Sequence, residues 1–300
     1  MSRQAWILLV VLSILWGGSF LFVALALDAY PPLSIVAFRV ATAAIVLHLV
    51  IITVGARWPT GTDFLFAIAI MGLLNNVIPF ALIAWGQIHV ASGLASVFNA
   101  MTPIFTLLVA HWLTADEKLT ARKIWGASLG FVGVVVLIGY ESLQGLGNNI
   151  IGQLAIIAAT ISYAFAGVWA KKRLAGHQPL HLAAGQVTAS ALILGVMAML
   201  VDGPVLITQP DVPAYIWMTI MGVLSTALAY LLYFRILAIA GASNLLLVTF
   251  LIPISAIAAG ALVLGERLEI QHLLGIVMIA LGLALIDGRV VAHFSSRPRR

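Results

Sequence analysis

Ten apolar runs, each near the roughly 20 residues that cross a bilayer core as helix, divide this chain: 6–27, 33–54, 64–86, 92–113, 122–140, 150–170, 180–201, 214–235, 243–264 and 270–286. Away from their ends, the runs hold one charged residue, Arg39. In lipid every backbone N–H and C=O must find a partner within the protein, which leaves helices or a closed barrel. A barrel would show segments of about 10 residues in strict alternation, and nothing here alternates over such lengths. At 63% apolar and 8% charged residues, the chain lies far from the roughly 25% charged composition of soluble domains. The expected fold is an all-α membrane protein of ten transmembrane helices, with the lipid bilayer as its solvent.

The runs are also related to one another. Pro103 recurs as Pro253 at a spacing of 150, and Glu117, Leu119, Gly126 and Gly133 recur as Glu266, Leu268, Gly275 and Gly282 at 149. Trp16, Pro32 and Ala37 recur as Tyr163, Pro179 and Ala184 at 147. The chain therefore reads as one five-helix unit written twice, over 1–145 and 146–287, followed by a basic tail over 288–300.

Charge placement gives an orientation. With ten spans, one face collects Arg3, Arg57, Lys118, Arg122, Lys123, Lys171, Lys172, Arg173, Arg235, Arg289, Arg297, Arg299 and Arg300, and the other only Arg267. Basic residues in short loops stay in the cytoplasm, so both termini are expected there. A five-helix unit ends on the face opposite its start, so its second copy is inverted. Inverted repeats are a recurring plan of secondary transporters, with the substrate held near the midplane where the halves meet. The first run ends in small residues, as a signal peptide does, but exceeds the roughly 7–15 apolar residues of one and has a counterpart at Tyr163, so it counts as the first helix.

Several residues stand out inside the spans. Gly17 and Gly18, after Trp16, suit either a close helix crossing or a hinge that turns Trp16 toward a cavity. Arg39 lies about six positions from the outer end of its run, roughly 9 Å, within reach of the interface; anchoring and substrate contact are both open. Its repeat counterpart is the uncharged Gln186. Asn75, Asn76 and Pro79 fall near mid-membrane, where an amide must face protein or water. Tyr230 stands opposite Phe80 in the repeat register, near Thr226. Asn99, Thr102 and Pro103 share one helix face, and Thr249, Pro253 and Ser255 occupy the second copy. Paired helix breaks at Pro103 and Pro253, at matching depth, point to a transport site. Glu117 and Glu266 read as N-terminal caps of the helices that follow them.

Other chemistries find little support. There is no cysteine, no His-Glu-x-x-His, and no carboxylate pair inside a span, so no catalytic residue, metal or cofactor is expected and the chain is not read as an enzyme. The pI of about 9.8 reflects topology and not nucleic-acid binding. All ten acidic residues sit at or beyond helix ends. With one buried cation and no buried carboxylate, the substrate is expected to be a small neutral or zwitterionic molecule. The intramembrane histidines, His48 and His111, are read as packed or interfacial rather than proton-carrying. A monomer or weak dimer is expected; the spacing of Gly126 and Gly130 could mark a contact within one chain or between two.

These residues carry a resemblance. Leu15-Trp16-Gly17, Pro31-Pro32 with Arg39, Pro103 with Glu117-Lys118-Leu119, Tyr230, Phe234-Arg235, Pro253 and Gly265-Glu266-Arg267-Leu268 are similar to the drug/metabolite transporter superfamily, specifically the EamA-type permeases of bacterial inner membranes. The resemblance implies a central cavity lined from helices one, three, four, six, eight and nine. It implies Trp16, Asn76, Asn99, Tyr163, Tyr230 and Thr249 as substrate contacts, to which the face shared with Asn99 adds Thr102, and export of amino acids, aromatic or otherwise neutral. A broad-specificity drug or metabolite efflux permease is the alternative; a channel or an intramembrane enzyme stands further off.

Overall fold

A computed structural model describes residues 1–59, 61–144, 146–259 and 270–287. Among these residues nine helices are long and apolar enough to cross a membrane: α1 (Arg3–Leu27), α2 (Pro32–Thr53), α3 (Thr62–Gly86), α4 (Ser92–Leu113), α5 (Ala121–Ile138), α6 (Ile150–Arg173), α7 (Pro179–Val201), α8 (Val212–Ala240) and, last in the chain, α10 (Ile270–Asp287). Between α8 and α10 the shorter α9 comprises Ala242–Leu245 and Val248–Ala259. The rest of the 243–264 run, the acidic turn Glu266-Arg267-Leu268 and the tail 288–300 lie outside the described residues. No strand occurs among those described.

Local chemistry sets the helix starts. Ser2, Thr120, Asn149 and Asp211 accept the first free N–H groups of α1, α5, α6 and α8, and Pro32 and Pro179 open α2 and α7, where a missing N–H costs nothing. The largest departure from the expected ends is α8, which runs to Ala240 and so places Arg235 inside a helix, on its exposed side. A long side chain can hold its charge at the interface from there. Large apolar side chains cover the outside, Ile45, Leu192, Leu200 and Trp112 among them, the surface a bilayer requires.

The principal helix pairs all join residues before 146 to residues after it. α5 packs on α10 most extensively and α2 on α7, while α3 meets α6 and α7, and α8 meets α1 and α2. Glycines permit the closest approaches. A Cβ on Gly126 would lie 2.8 Å from the Gly282 carbonyl, and one on Gly282 would lie 2.6 Å from the Gly126 carbonyl. The Gly126 stripe thus serves a contact within one chain. α1, with Leu9 and Leu12 fully buried, belongs to this core. Met1 touches Asp287, so both ends of the described chain share one face.

Two irregularities recur at a fixed interval. α3 turns π-helical over Leu73–Val77 and α8 over Val223–Leu228, starting 150 residues apart. Gly72 precedes the first and would place a Cβ 2.8 Å from the Gln186 carbonyl; Gly222 precedes the second and would place one 2.9 Å from the Arg39 carbonyl. The breaks of α4 and α9 do not correspond in this way. α4 is interrupted at Ala100–Met101, just before Pro103, whereas α9 is interrupted at Leu246–Leu247 and continues through Pro253. Tight bonds from the Thr249 and Phe250 N–H groups to the carbonyls of Leu246 and Leu247 make that earlier turn. Pro253 is therefore not the break expected of it.

Replacing Gly282 by Val should lower resistance to unfolding by about 1–3 kcal/mol, the usual cost of overpacking, measured by denaturant titration of purified protein in detergent. Val at the open Gly195, which has nothing within 4 Å of such a Cβ, should leave stability nearly unchanged.

Candidate functional site

A π turn adds a residue to the helix and leaves backbone carbonyls without their helical donors. In α3 the effect is compounded by Pro79, which has no N–H to give. Side chains from the other half of the chain supply the donors. The Ser162 hydroxyl donates to the Leu74 carbonyl at 2.6 Å. Tyr230 donates at 3.1 Å to Asn76 Oδ1 and lies 3.4 Å from the Asn75 carbonyl. In α8 the Ser225 carbonyl receives Trp16 Nε1 at 3.0 Å and Arg39 Nη2 at 3.2 Å. The Ser225 hydroxyl in turn donates to the Leu15 carbonyl at 2.6 Å.

Between these two segments lies a cavity of about 70 Å³, room for a handful of waters at roughly 10–15 Å³ each. Trp16, Arg39, Asn99, Thr102, Tyr163, Tyr230 and Thr249 line it, seven of the eight residues expected at a substrate site or as an intramembrane charge. Asn76 is the exception. Its neighbour Asn75 lines the cavity, whereas Asn76 is fully buried behind Tyr230, its side-chain nitrogen without a partner. Consecutive helical residues point about 100° apart, so only one of the two amides can face inward. Ser19, Phe80, Gln87 and Tyr233 also line the cavity. Tyr233 lies one turn beyond Tyr230, a spacing that could have found it; Gln87, just past the end of α3, carried no such signal.

Trp16, Tyr230 and Tyr233 form an aromatic wall, with ring centroids 5.8–6.4 Å apart. The Tyr233 hydroxyl has no hydrogen-bond partner among the described residues. Gly18 interrupts α1 directly after Trp16 and Gly17, with its backbone still in the right-handed helical region, so the helix adjusts there and continues. Phe22 N–H bonds the Gly18 carbonyl across the gap.

Arg39, open to two roles by sequence, shows no reach toward the interface. It is only 6% exposed and turns inward, its Nε donating to Thr226 Oγ1 at 2.7 Å and its Cζ 4.2 Å from the centre of the Phe80 ring. The π segment of α8 explains the turn, since it presents an acceptor carbonyl and hydroxyl at that depth. No ion pair among the described residues includes Arg39.

The cavity is not centred between the two faces. Its partly exposed rim, Ser19, Phe20 and Gln87, lies in the half of the bundle away from Met1 and Asp287, while Tyr233, Leu246 and Thr249 at the other end are buried. On the terminus face a second cavity of about 730 Å³ reaches in among Met1, Lys171, Phe234, Ser243 and Asp287, and on its wall lies Glu117. Its carboxylate takes Lys171 Nζ at 2.6 Å, the Ser243 N–H at 3.0 Å and the Ser243 hydroxyl. Glu117 therefore caps α9 in the other half and not the helix that follows it, which Thr120 caps. Burial alone would push this carboxyl up. The hydrogen bonds of Lys171 and Ser243 outweigh burial and hold it below the ordinary glutamate range, so the tie is complete above that range and is lost as pH falls beneath it. The histidines stand apart from the cavity: His48 bonds the Ala44 carbonyl and stacks on Trp58, and His111 accepts the Leu119 N–H.

A multi-helix bundle with an aromatic-walled cavity lined from both halves of the chain has the form of a carrier. The EamA-like transporter family matches the chain twice, over residues 4–139 and 150–287, and the chain belongs to that family. It is thus a multi-pass inner-membrane transporter of small molecules within the drug/metabolite transporter superfamily, not an enzyme. The chain is 24% identical over 282 residues to the uncharacterized transporter YoaV of Bacillus subtilis, covering 92% of this chain and 94% of that one. It is 27% identical to the protein PecM of Dickeya dadantii, with 95% and 92% covered. A probable amino-acid metabolite efflux pump of Escherichia coli K12 is 25% identical, with 94% of each covered. One solved crystal structure superposes with a TM-score of 0.77 at 18% identity, covering 97% of this chain and all of that one.

Tyr230→Phe should destabilise the protein by about 1–3 kcal/mol, because it leaves the Asn76 amide wholly unsatisfied. Pairing it with Asn76→Leu should recover much of the loss, since removing both partners costs less than removing one. Thermal unfolding in detergent checks both; a double variant as unstable as the two single losses added together would contradict the pairing.

Proposed function

We propose that this transporter exports small zwitterionic metabolites, amino acids with apolar or aromatic side chains foremost, by alternating access at the central cavity. The reading rests on one observation above others: the polar groups around the cavity come from both halves, crossing between the π segments of α3 and α8. Motion of one half against the other would remake that lining. The cavity offers hydroxyls, amides, aromatic faces and one cation, a set suited to a solute with both polar and apolar parts. The E. coli relative named for amino-acid metabolite efflux points the same way.

The two family matches are read as inverted copies. The 150-residue interval between π segments supports this, as do the shared backbone contacts of Gly72 and Gly222 and the matching pairing of α3 with α6 and of α8 with α1. Both ends of the described chain share a face, and the excess of Lys and Arg assigns that face to the cytoplasm. In that orientation the cavity leans toward the outside, and the Glu117 tie lies on the inner face beside the larger cavity there. Broad-specificity efflux is the second reading, favoured by the apolar part of the lining.

Purified protein in liposomes should move L-phenylalanine or L-leucine above the rate of empty vesicles. Trp16→Ala and Asn99→Ala should slow this about tenfold or more while leaving the protein monodisperse. A panel of amino acids and other small metabolites that shows no flux would overturn the proposal.

A further inference from the structure

We infer that Arg39 is a carboxylate-reading group, so that the cavity selects solutes bearing a single carboxylate over their neutral or cationic analogues. The inference rests on the reading of the cavity as the substrate site and names the chemistry that site recognises.

A guanidinium buried in a membrane protein is costly unless it is paired or wetted, and here no carboxylate among the described residues meets it. What it has are two uncharged acceptors, Thr226 Oγ1 and the Ser225 carbonyl, and the face of Phe80. These use two of its five N–H donors. The side chain lines the cavity, so the remaining donors are the strongest unfilled hydrogen-bonding capacity there.

Packing alone does not call for this charge. The equivalent place in the other half is held by Gln186. The two residues present their backbone carbonyls to Gly222 and Gly72 in the same way, and Gln186 Oε1 accepts from Asn75 Nδ2 at 3.1 Å. A neutral amide thus occupies this position in the other half, although its Nε2 has no partner among the described residues. The two side chains differ in surroundings as well: Arg39 lines the cavity, whereas Gln186 does not.

The class of anion follows from what surrounds the guanidinium. Arg39 is the only Lys or Arg in the lining, and no His joins it, so one negative charge is matched and a phosphate dianion is not. A planar carboxylate fits the guanidinium fork. The body of the solute then faces Trp16, Tyr230 and Tyr233, whose ring faces accept an apolar group or an ammonium alike.

The test compares ligands on the unaltered protein before any substitution. Calorimetric titration in detergent with L-phenylalanine, 3-phenylpropionate, L-phenylalaninamide and phenethylamine separates the carboxylate from the amine and from the ring. Both acids should bind, and the amide and the amine should bind about ten- to hundredfold more weakly. Arg39→Gln should abolish that preference, and Arg39→Lys should retain part of it. An amide that binds as tightly as the acid, acids that bind Arg39→Gln unchanged, or no acid binding at all would overturn the inference. Flux in liposomes is scored separately: transport with no acid preference sinks only the role of Arg39, while acid binding without flux sinks only the transport reading.

Discussion

The organising constraint is that no backbone carbonyl or N–H in the membrane interior can be left to water. Most of the chain meets it with ordinary helix. α3 and α8 do not, because each opens into a π turn at mid-bundle, and the carbonyls set free there are taken by Ser162, Tyr230, Trp16 and Arg39 from the opposite half. The contacts that hold the halves together at the centre are therefore the same ones that surround the cavity. A site built in this way is sensitive to relative movement of the halves, which is what a carrier needs.

Around that centre the remaining packing is stiff. Gly126 and Gly282 bring α5 and α10 into backbone contact, and Gly72 and Gly222 do so for α3 against α7 and α8 against α2. The contact on the terminus face differs in kind: a charged, hydrogen-bonded tie of Glu117 to Lys171 and Ser243 in place of interlocked apolar surface. Such a tie can be broken by exchanging partners for water, at far smaller cost than unpacking a glycine crossing. The molecule thus combines close helix crossings with a hydrogen-bonded ionic tie at the terminus face.

Much of this was legible in the sequence, and the misses have physical causes. The repeat register brought Trp16, Tyr163 and Tyr230 forward, and all three line the cavity. Arg39 was left between anchoring and substrate contact, because its acceptors sit on α8, more than 180 residues away, where periodicity cannot see them. Asn76 and Asn75 were not separable, because the π turn that decides which one faces inward has no pattern of its own. Glu117 was read as a local cap, although its α9 partner is 126 residues distant. Pro253 was taken to mirror Pro103, but the same residue type opens one helix segment and is carried inside another, according to where the preceding turn tightens.

The central claim is that the two halves move about one cavity, closing one face as the other opens. The most direct test links Glu117→Cys to Ser243→Cys with a short, cleavable thiol-specific bridge, in a chain that has no cysteine of its own. With the unbridged double variant as reference, the account requires that bridging abolish amino-acid flux into or out of liposomes and that cleaving the bridge restore it. Flux that continues undiminished with the terminus face held shut would contradict the account.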